Sequence, residues 1–200
     1  MKIINPATEE VLADIQEDTE KTVRDKYELL KEGQRAWAVT PLEERIACIS
    51  RFYDHHENNK EELAKTLSSE MGKPLKESFN ELNGARSRIK FFIDNSKKYL
   101  QDEWITTGGS TRERIVYEPL GVIANISAWN YPYLVGVNVF IPALIGGNAV
   151  LYKPSEYSSL TGMHIQSLLY KAGVPENVFE TIIGKGSVGE YLLDLPLDGY

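Results

Sequence analysis

Cysteine is nearly missing from this chain: Cys48 stands alone among 200 residues. A lone thiol excludes an intramolecular disulfide and any zinc site built on paired cysteines, and it fits a reducing, cytoplasmic setting. Histidine is as sparse. His55 and His56 are adjacent and His164 is far away, a spacing that matches no metal-ligand pattern, so no metal is expected. Positive charge is the minority sign, with 22 Lys and Arg against 29 Asp and Glu and a net charge of −7. A sequence-independent grip on nucleic acid needs clustered cations to displace counterions from phosphates, so no nucleic-acid partner is expected. Residues 1–18 carry scattered charges without an apolar stretch, so no secretory signal is expected there.

The longest absence is of charge. Residues 121–152 run for 32 positions without Asp, Glu, Lys or Arg, long enough to span a bilayer. Yet Asn125, Asn130, Asn138, Asn148, Pro132, Pro142 and the pair Gly146-Gly147 interrupt the run. It therefore reads as strand, turn, helix, turn and strand buried in protein, and no membrane partner is expected. Of the charged residues, 9 lie in positions 121–200 and 42 before them. The two parts are built differently.

The first part, residues 1–103, reads as helices with solvated charged faces. Val23, Tyr27, Leu30 and Trp37 recur at helical spacing after Thr19. Thr40-Pro41-Leu42-Glu43 has the form of a capping box with proline at the first helical position, opening a helix through Ile46, Ile49 and Phe52. A helix over 61–71 stops at Gly72-Lys73-Pro74, because glycine accepts a left-handed cap and proline cannot continue the ladder. Pro74 opens a long segment with Leu75, Phe79, Leu82, Ile89 and Phe92 on one stripe. Residues 104–118 change pattern: Gly108-Gly109-Ser110 marks a turn, and Arg114-Ile115-Val116-Tyr117 alternates as a half-exposed strand does. This ribbon offers an edge for strand pairing with another subunit.

The second part, residues 119–200, alternates apolar runs with helical stretches. Strands are expected over 121–127, 148–153 and 178–183, and helices over 133–145 and 159–172, with a kink or second helix at Pro142. The fold class is α/β: N-terminal helices followed by a parallel βαβαβ sheet. In such a sheet ligands bind beyond the carboxyl ends of the strands. The polar clusters fall there: Ala128-Trp129-Asn130-Tyr131-Pro132 after the first strand, Lys153-Pro154-Ser155-Glu156 after the second, and Gly184-Lys185-Gly186-Ser187-Val188-Gly189 after the third. The glycine cluster suits a phosphate at a helix N-terminus, and it equally suits a plain turn with its cap. Lys153 and Glu156 suit ribose hydroxyls, or are surface charges. Asn130 suits an oxyanion, or braces its loop.

Asn5-Pro6-Ala7-Thr8, Met71-Gly72-Lys73-Pro74, Glu118-Pro119-Leu120-Gly121-Val122, Trp129-Asn130-Tyr131-Pro132, Pro142-Ala143-Leu144, Gly147-Asn148 and Lys153-Pro154-Ser155-Glu156 occur in this order. In that order they resemble the N-terminal portion of the NAD(P)-dependent aldehyde dehydrogenase superfamily. The resemblance implies a partial Rossmann-like domain from Gly121, and an oligomerisation element in the ribbon. It implies that Asn130 is the catalytic oxyanion donor and that Ser127, Ala128 and Trp129 line the dinucleotide path. Lys153 and Glu156 would hold the adenosine ribose, with Ser155 also binding the cofactor and Gly184, Gly186, Ser187 and Gly189 along it. NAD is the implied cofactor, NADP the alternative, since a carboxylate at 156 pairs with ribose hydroxyls and repels a 2′-phosphate. Ala128 departs from the proline of many members.

The reaction the resemblance implies needs a thiolate to attack an aldehyde and a carboxylate to activate water. In family members both lie beyond position 200, and Cys48, on an apolar helix face, reads as a structural thiol. The chain is therefore expected to be inactive alone, to work as a homo-oligomer or with a complementing C-terminal chain, and to leave a sheet edge unpaired where residues 197–200 begin the next strand. A non-catalytic nucleotide-binding or partner-binding domain is the alternative. A plain helical module does not account for three polar clusters at three strand ends.

Overall fold

A computed structural model describes residues 1–106, 108 and 110–200. It opens on an element that sequence reading left unassigned, an antiparallel hairpin of β1 (Lys2–Ile4) and β2 (Val11–Asp14). Its turn is set by Asn5, whose Oδ1 accepts from the Ala7 amide at 2.9 Å, an Asx turn.

Four helices follow. α1 (Glu20–Val39) carries a reciprocal cap in which Thr19 and Thr22 each accept the other's backbone amide through the side chain. α2 (Leu42–Asn58) has no side-chain cap. The box expected at Thr40 does not form: the Thr40 hydroxyl donates back to the Ala36 carbonyl at 3.1 Å, closing α1, and Pro41 stands one place before the helix. A threonine hydroxyl between two helices serves one of them, and here the preceding turn takes it. α3 (Lys60–Met71) stops as expected, with Gly72 left-handed at φ 71°. α4 (Leu75–Leu100) buries Ser78, Glu81, Leu82, Ala85 and Ile89, while Leu75 at its entrance is exposed.

β3 (Glu103–Thr106) and β4 (Glu113–Ile115) pair antiparallel as the expected ribbon. In the turn expected between them, Gly109 lies outside the described residues. Then come β5 (Val122–Ile126), α5 (Pro132–Ile145), β6 (Ala149–Lys153), a 3₁₀ turn (Glu156–Ser158), α6 (Ser159–Lys171), β7 (Phe179–Thr181) and α7 (Gly186–Leu193). α5 passes through Pro142 as one helix, so no second helix forms there.

β5, β6 and β7 make a parallel sheet in that order, with Val122 beside Ala149 and Val150 beside Phe179. After α7 the chain returns to the free side of β5. The Asp198 amide donates to the Val122 carbonyl at 3.0 Å, the Ala124 amide donates to the Gly199 carbonyl at 2.9 Å, and Gly199 bridges Ile123 in parallel. The next strand expected from residues 197–200 thus begins alongside the start of β5, at residues 198–199. Gly121 makes room for this: at φ 139° it brings the Val122 amide to the Asp198 carboxylate, where a Cβ would sit 2.1 Å from Asp198 Oδ2.

α5, α6 and α1 pack against the sheet, α5 beside α6 and α7 beside α1; a right-handed crossover after a change of direction puts α7 on the face opposite α5 and α6. α2, α3 and α4 pack outside α5 and α6. One buried cluster runs from Val23, Trp37 and Phe52 through Leu82 to Leu151 and Leu192. At the base of the sheet the buried Arg45 donates to the carbonyls of Ile145 at 2.8 Å and Thr40 at 2.7 Å, tying the carboxyl ends of α1 and α5 to α2. A cation is favoured there by both helix dipoles. The N-terminal segment is strapped to the far end of the chain: Asp18 accepts from the Ile183 amide at 2.7 Å, and the Tyr27 hydroxyl donates to the Pro196 carbonyl at 2.9 Å. Among the described residues no helix is long and apolar enough to cross a membrane.

Candidate functional site

The sheet steps from β5 to β7 in one direction and from β5 to residues 198–199 in the other. A crevice opens at the carboxyl ends of strands where the order reverses in this way. β5 ends at this point. Ser127, the next residue, is buried, and its amide donates to the Lys153 carbonyl at 2.9 Å. Ala128, Trp129 and Asn130 are exposed.

Lys153 closes β6 and is 5% exposed, so its ammonium is inside the rim rather than on the surface. Its Nζ donates to the Gly184 carbonyl at 2.9 Å and the Pro154 carbonyl at 3.4 Å. Burial pulls its pKa below the usual lysine range, and the Glu156 carboxylate acts against that. Ser155 accepts from the Tyr157 amide at 3.3 Å and donates to Glu156 Oε2 at 3.3 Å. Glu156, half-buried, lines a cavity of about 350 Å³ with Ile3, Pro6, Glu70 and Tyr157.

Gly184 holds φ 156°, and a Cβ there would meet Val188 at 2.3 Å. The helix begins sooner than the glycine spacing suggests: Gly186, Ser187 and Gly189 form the first turn of α7, not a loop. Gly186 faces open space, and a Cβ on Gly189 would touch the Lys153 stem at 3.4 Å. The structure therefore brings Ser127, Lys153, Gly184 and Gly189 together, with Ser155 and Glu156 directly following. Asn130 sits on the adjoining loop and shares no hydrogen bond with that group among the described residues. Among those residues, no three His, Cys, Asp or Glu side chains are placed to hold a metal ion.

Three charged residues on the same rim escaped sequence reading. Glu81 of α4, wholly buried, accepts from the Tyr133 amide at 2.8 Å and the Leu134 amide at 3.5 Å, satisfying the first turn of α5, whose own cap residue Tyr131 supplies no side-chain bond. Glu70 of α3 does the same for α6: it accepts from the Leu160 and Thr161 amides and from the Thr161 hydroxyl. Burial pushes its carboxyl up to about 7, against the pull of those three bonds. Lys73, in the turn between α3 and α4, donates to Glu81 at 2.5 Å and to the Asn130 carbonyl at 2.7 Å. The signal for Glu81 was present in the sequence, as an acid set in the apolar stripe of α4 between Ser78 and Leu82. Lys73 was legible only as part of a helix stop.

Solved structures resemble this chain over nearly its whole length. An indole-3-acetaldehyde dehydrogenase in apo form is 30% identical with a TM-score of 0.93, over 100% of this chain and 48% of that one. A betaine aldehyde dehydrogenase from Staphylococcus aureus, solved with NAD+, is 28% identical with a TM-score of 0.90, over 96% of this chain and 40% of that one. An NADP-dependent enzyme from E. coli is 27% identical with a TM-score of 0.91, over 98% of this chain and 41% of that one. The chain spans less than half the length of each. A model of the aldehyde dehydrogenase family matches residues 1–197, and the chain belongs to that family.

Proposed function

We propose that these residues form the ribose-binding and oxyanion-donor portion of an NAD(P)-dependent aldehyde dehydrogenase, which oxidises an aldehyde to a carboxylic acid. One observation carries the reading: a buried lysine ammonium stands at the carboxyl end of β6, against the glycine turn that opens α7, beside the reversal of strand order. A buried cation is retained where it has something to bind. Lys153 spends two donors on carbonyls and keeps a third, and the Glu156 carboxylate lies three residues on. A donor and a carboxylate close enough for the carboxylate's charge to act on the ammonium suit ribose hydroxyls, and the open face of Gly186 leaves room for the nucleotide. The Glu156 carboxylate favours NAD over NADP, because it repels a 2′-phosphate.

When bound, the nicotinamide accepts the hydride from the substrate. The chain's own part is positional. Asn130 presents an exposed carboxamide on the loop after β5, where an N–H donor to a developing oxyanion is worth ~3 kcal/mol. Cys48 does not supply the nucleophile: it is buried on α2, its Sγ lies 3.1 Å from an Arg51 nitrogen, and burial raises its pKa. In this reading the thiolate and the water-activating carboxylate come from outside these 200 residues.

The test is an NMR titration of the ¹⁵N-labelled chain with NAD and with NADP. NAD is expected to shift the amides of residues 127–130, 153–156 and 184–189, more strongly than NADP. Lys153→Met is expected to abolish those shifts. Shifts confined to other surfaces, or none at millimolar NAD, would overturn the proposal.

A further inference from the structure

The loop between β5 and α5 is anchored at both ends and bare in the middle. Upstream, the Ser127 amide is bonded to the Lys153 carbonyl; downstream, the Tyr133 amide is bonded to buried Glu81. Between these anchors Ala128, Trp129 and Asn130 are exposed, so packing does not hold them; the Tyr131 ring is exposed as well, while its carbonyl accepts from the Val135 amide at 2.9 Å as the cap of α5. What reaches this stretch is Lys73. Its Nζ donates to the Asn130 carbonyl at 2.7 Å and stands 4.8 Å from the centre of the Tyr131 ring. Glu81 holds the ammonium there at 2.5 Å, with the lysine side chain 16% exposed and the glutamate wholly buried.

One carboxylate thus performs two tasks. Through Oε1 it satisfies the first-turn amides of α5, and through Oε2 it aims Lys73 at the residue that the proposed function makes an oxyanion donor. A buried glutamate against a partly buried lysine is costly to desolvate, and α5 could be capped by a residue of its own without it. The pair makes physical sense as a clamp: an oxyanion donor must be held to within about 0.5 Å of its productive place, and an exposed loop does not do so unaided.

We propose that Lys73, oriented by Glu81, is a positioning residue for Asn130, holding its backbone so that the carboxamide is presented at the strand mouth. This rests on the reading of Asn130 as an oxyanion donor. The test measures backbone and side-chain ¹⁵N order of Asn130 in the 200-residue chain. Wild type is expected to show an order parameter of about 0.85 at Asn130, and Lys73→Met to lower it below about 0.6. Lys73→Arg, which keeps a cationic donor, is expected to restore it. Should Lys73→Met alone fail to fold, because it leaves Glu81 buried without its cation, the double variant Lys73→Met/Glu81→Gln removes both charges. In that variant the carboxamide oxygen that replaces the carboxylate still accepts from the Tyr133 amide, so that amide stays protected while Asn130 loosens.

An Asn130 equally ordered in wild type and in the lysine-free variants would overturn the proposal. So would a loss of order spread evenly over α5, the mark of a merely structural pair. Loosening confined to residues 128–131 supports positioning even where the chain takes up no NAD, so failure of the clamp and failure of the cofactor reading are told apart.

Discussion

Gly184 shows how closely single residues constrain the rim. Its backbone at φ 156° and the Val188 side chain 2.3 Å from a built Cβ both oppose any larger residue. Gly184→Ala is expected to cost about 2–3 kcal/mol in urea unfolding, and to weaken NAD-induced shifts by moving the carbonyl that receives Lys153. Gly186→Ala, which meets open space, is expected to leave stability within about 0.5 kcal/mol. At this scale the sequence was partly legible. Lys153 and Glu156 stood out because they follow an apolar run in a stretch otherwise poor in charge. Lys73 and Glu70 did not, because their roles depend on partners 57 and 90 positions away, and nothing local distinguishes a glutamate that caps a distant helix from one on a solvated face.

At the scale of elements, two buried titratable groups set opposing pH dependences on neighbouring helices. His56 of α2 is packed between the rings of Phe52 and Tyr133 with neither ring nitrogen hydrogen-bonded among the described residues, and burial lowers its pKa to about 3. Between pH 6.5 and 3 the unfolded chain binds a proton there that the folded chain refuses, so stability falls on acidification through that window. Glu70, held at about 7 in the fold against an ordinary 4.5, works the other way. Between pH 4.5 and 7 the folded chain keeps a proton that the unfolded chain releases, so its contribution is lost as pH rises. From pH 7 to 5 each amounts to about 2 kcal/mol, of opposite sign. The two contributions oppose each other in urea unfolding at the two pH values, and removing either group exposes the other. His56→Phe should gain stability on acidification, and Glu70→Gln should lose it. Most elements were readable from period and punctuation: the apolar runs became β5, β6 and β7, and Gly72 ended α3. The start of α2 falls one residue later than the spacing predicts because Thr40 can serve either helix, and tertiary packing chooses. The β1–β2 hairpin leaves no sequence signal because its strands are only 3 and 4 residues long, too short for alternation to register.

At the scale of the molecule, the 200-residue chain is expected to show no aldehyde-dependent formation of NADH, since its single thiol is buried on α2 away from the rim. Turnover that disappears in Asn130→Ala would overturn this. The parallel βαβ order was legible, and so was the start of a further strand at residues 197–200; its place beside β5 was not, because that depends on the Asp198 carboxylate finding the Val122 amide. The strap of Asp18 onto Ile183 and of Tyr27 onto Pro196 has a further consequence. On the ribosome α1 emerges early, with the greasy side made by Val23, Tyr27, Leu30 and Trp37, while the strands that will cover it are still unmade. Nascent chains halted before about residue 180 should therefore recruit chaperones and resist release in soluble form. Only once the last strand and its trailing turn clear the exit tunnel can the first helix find its seat.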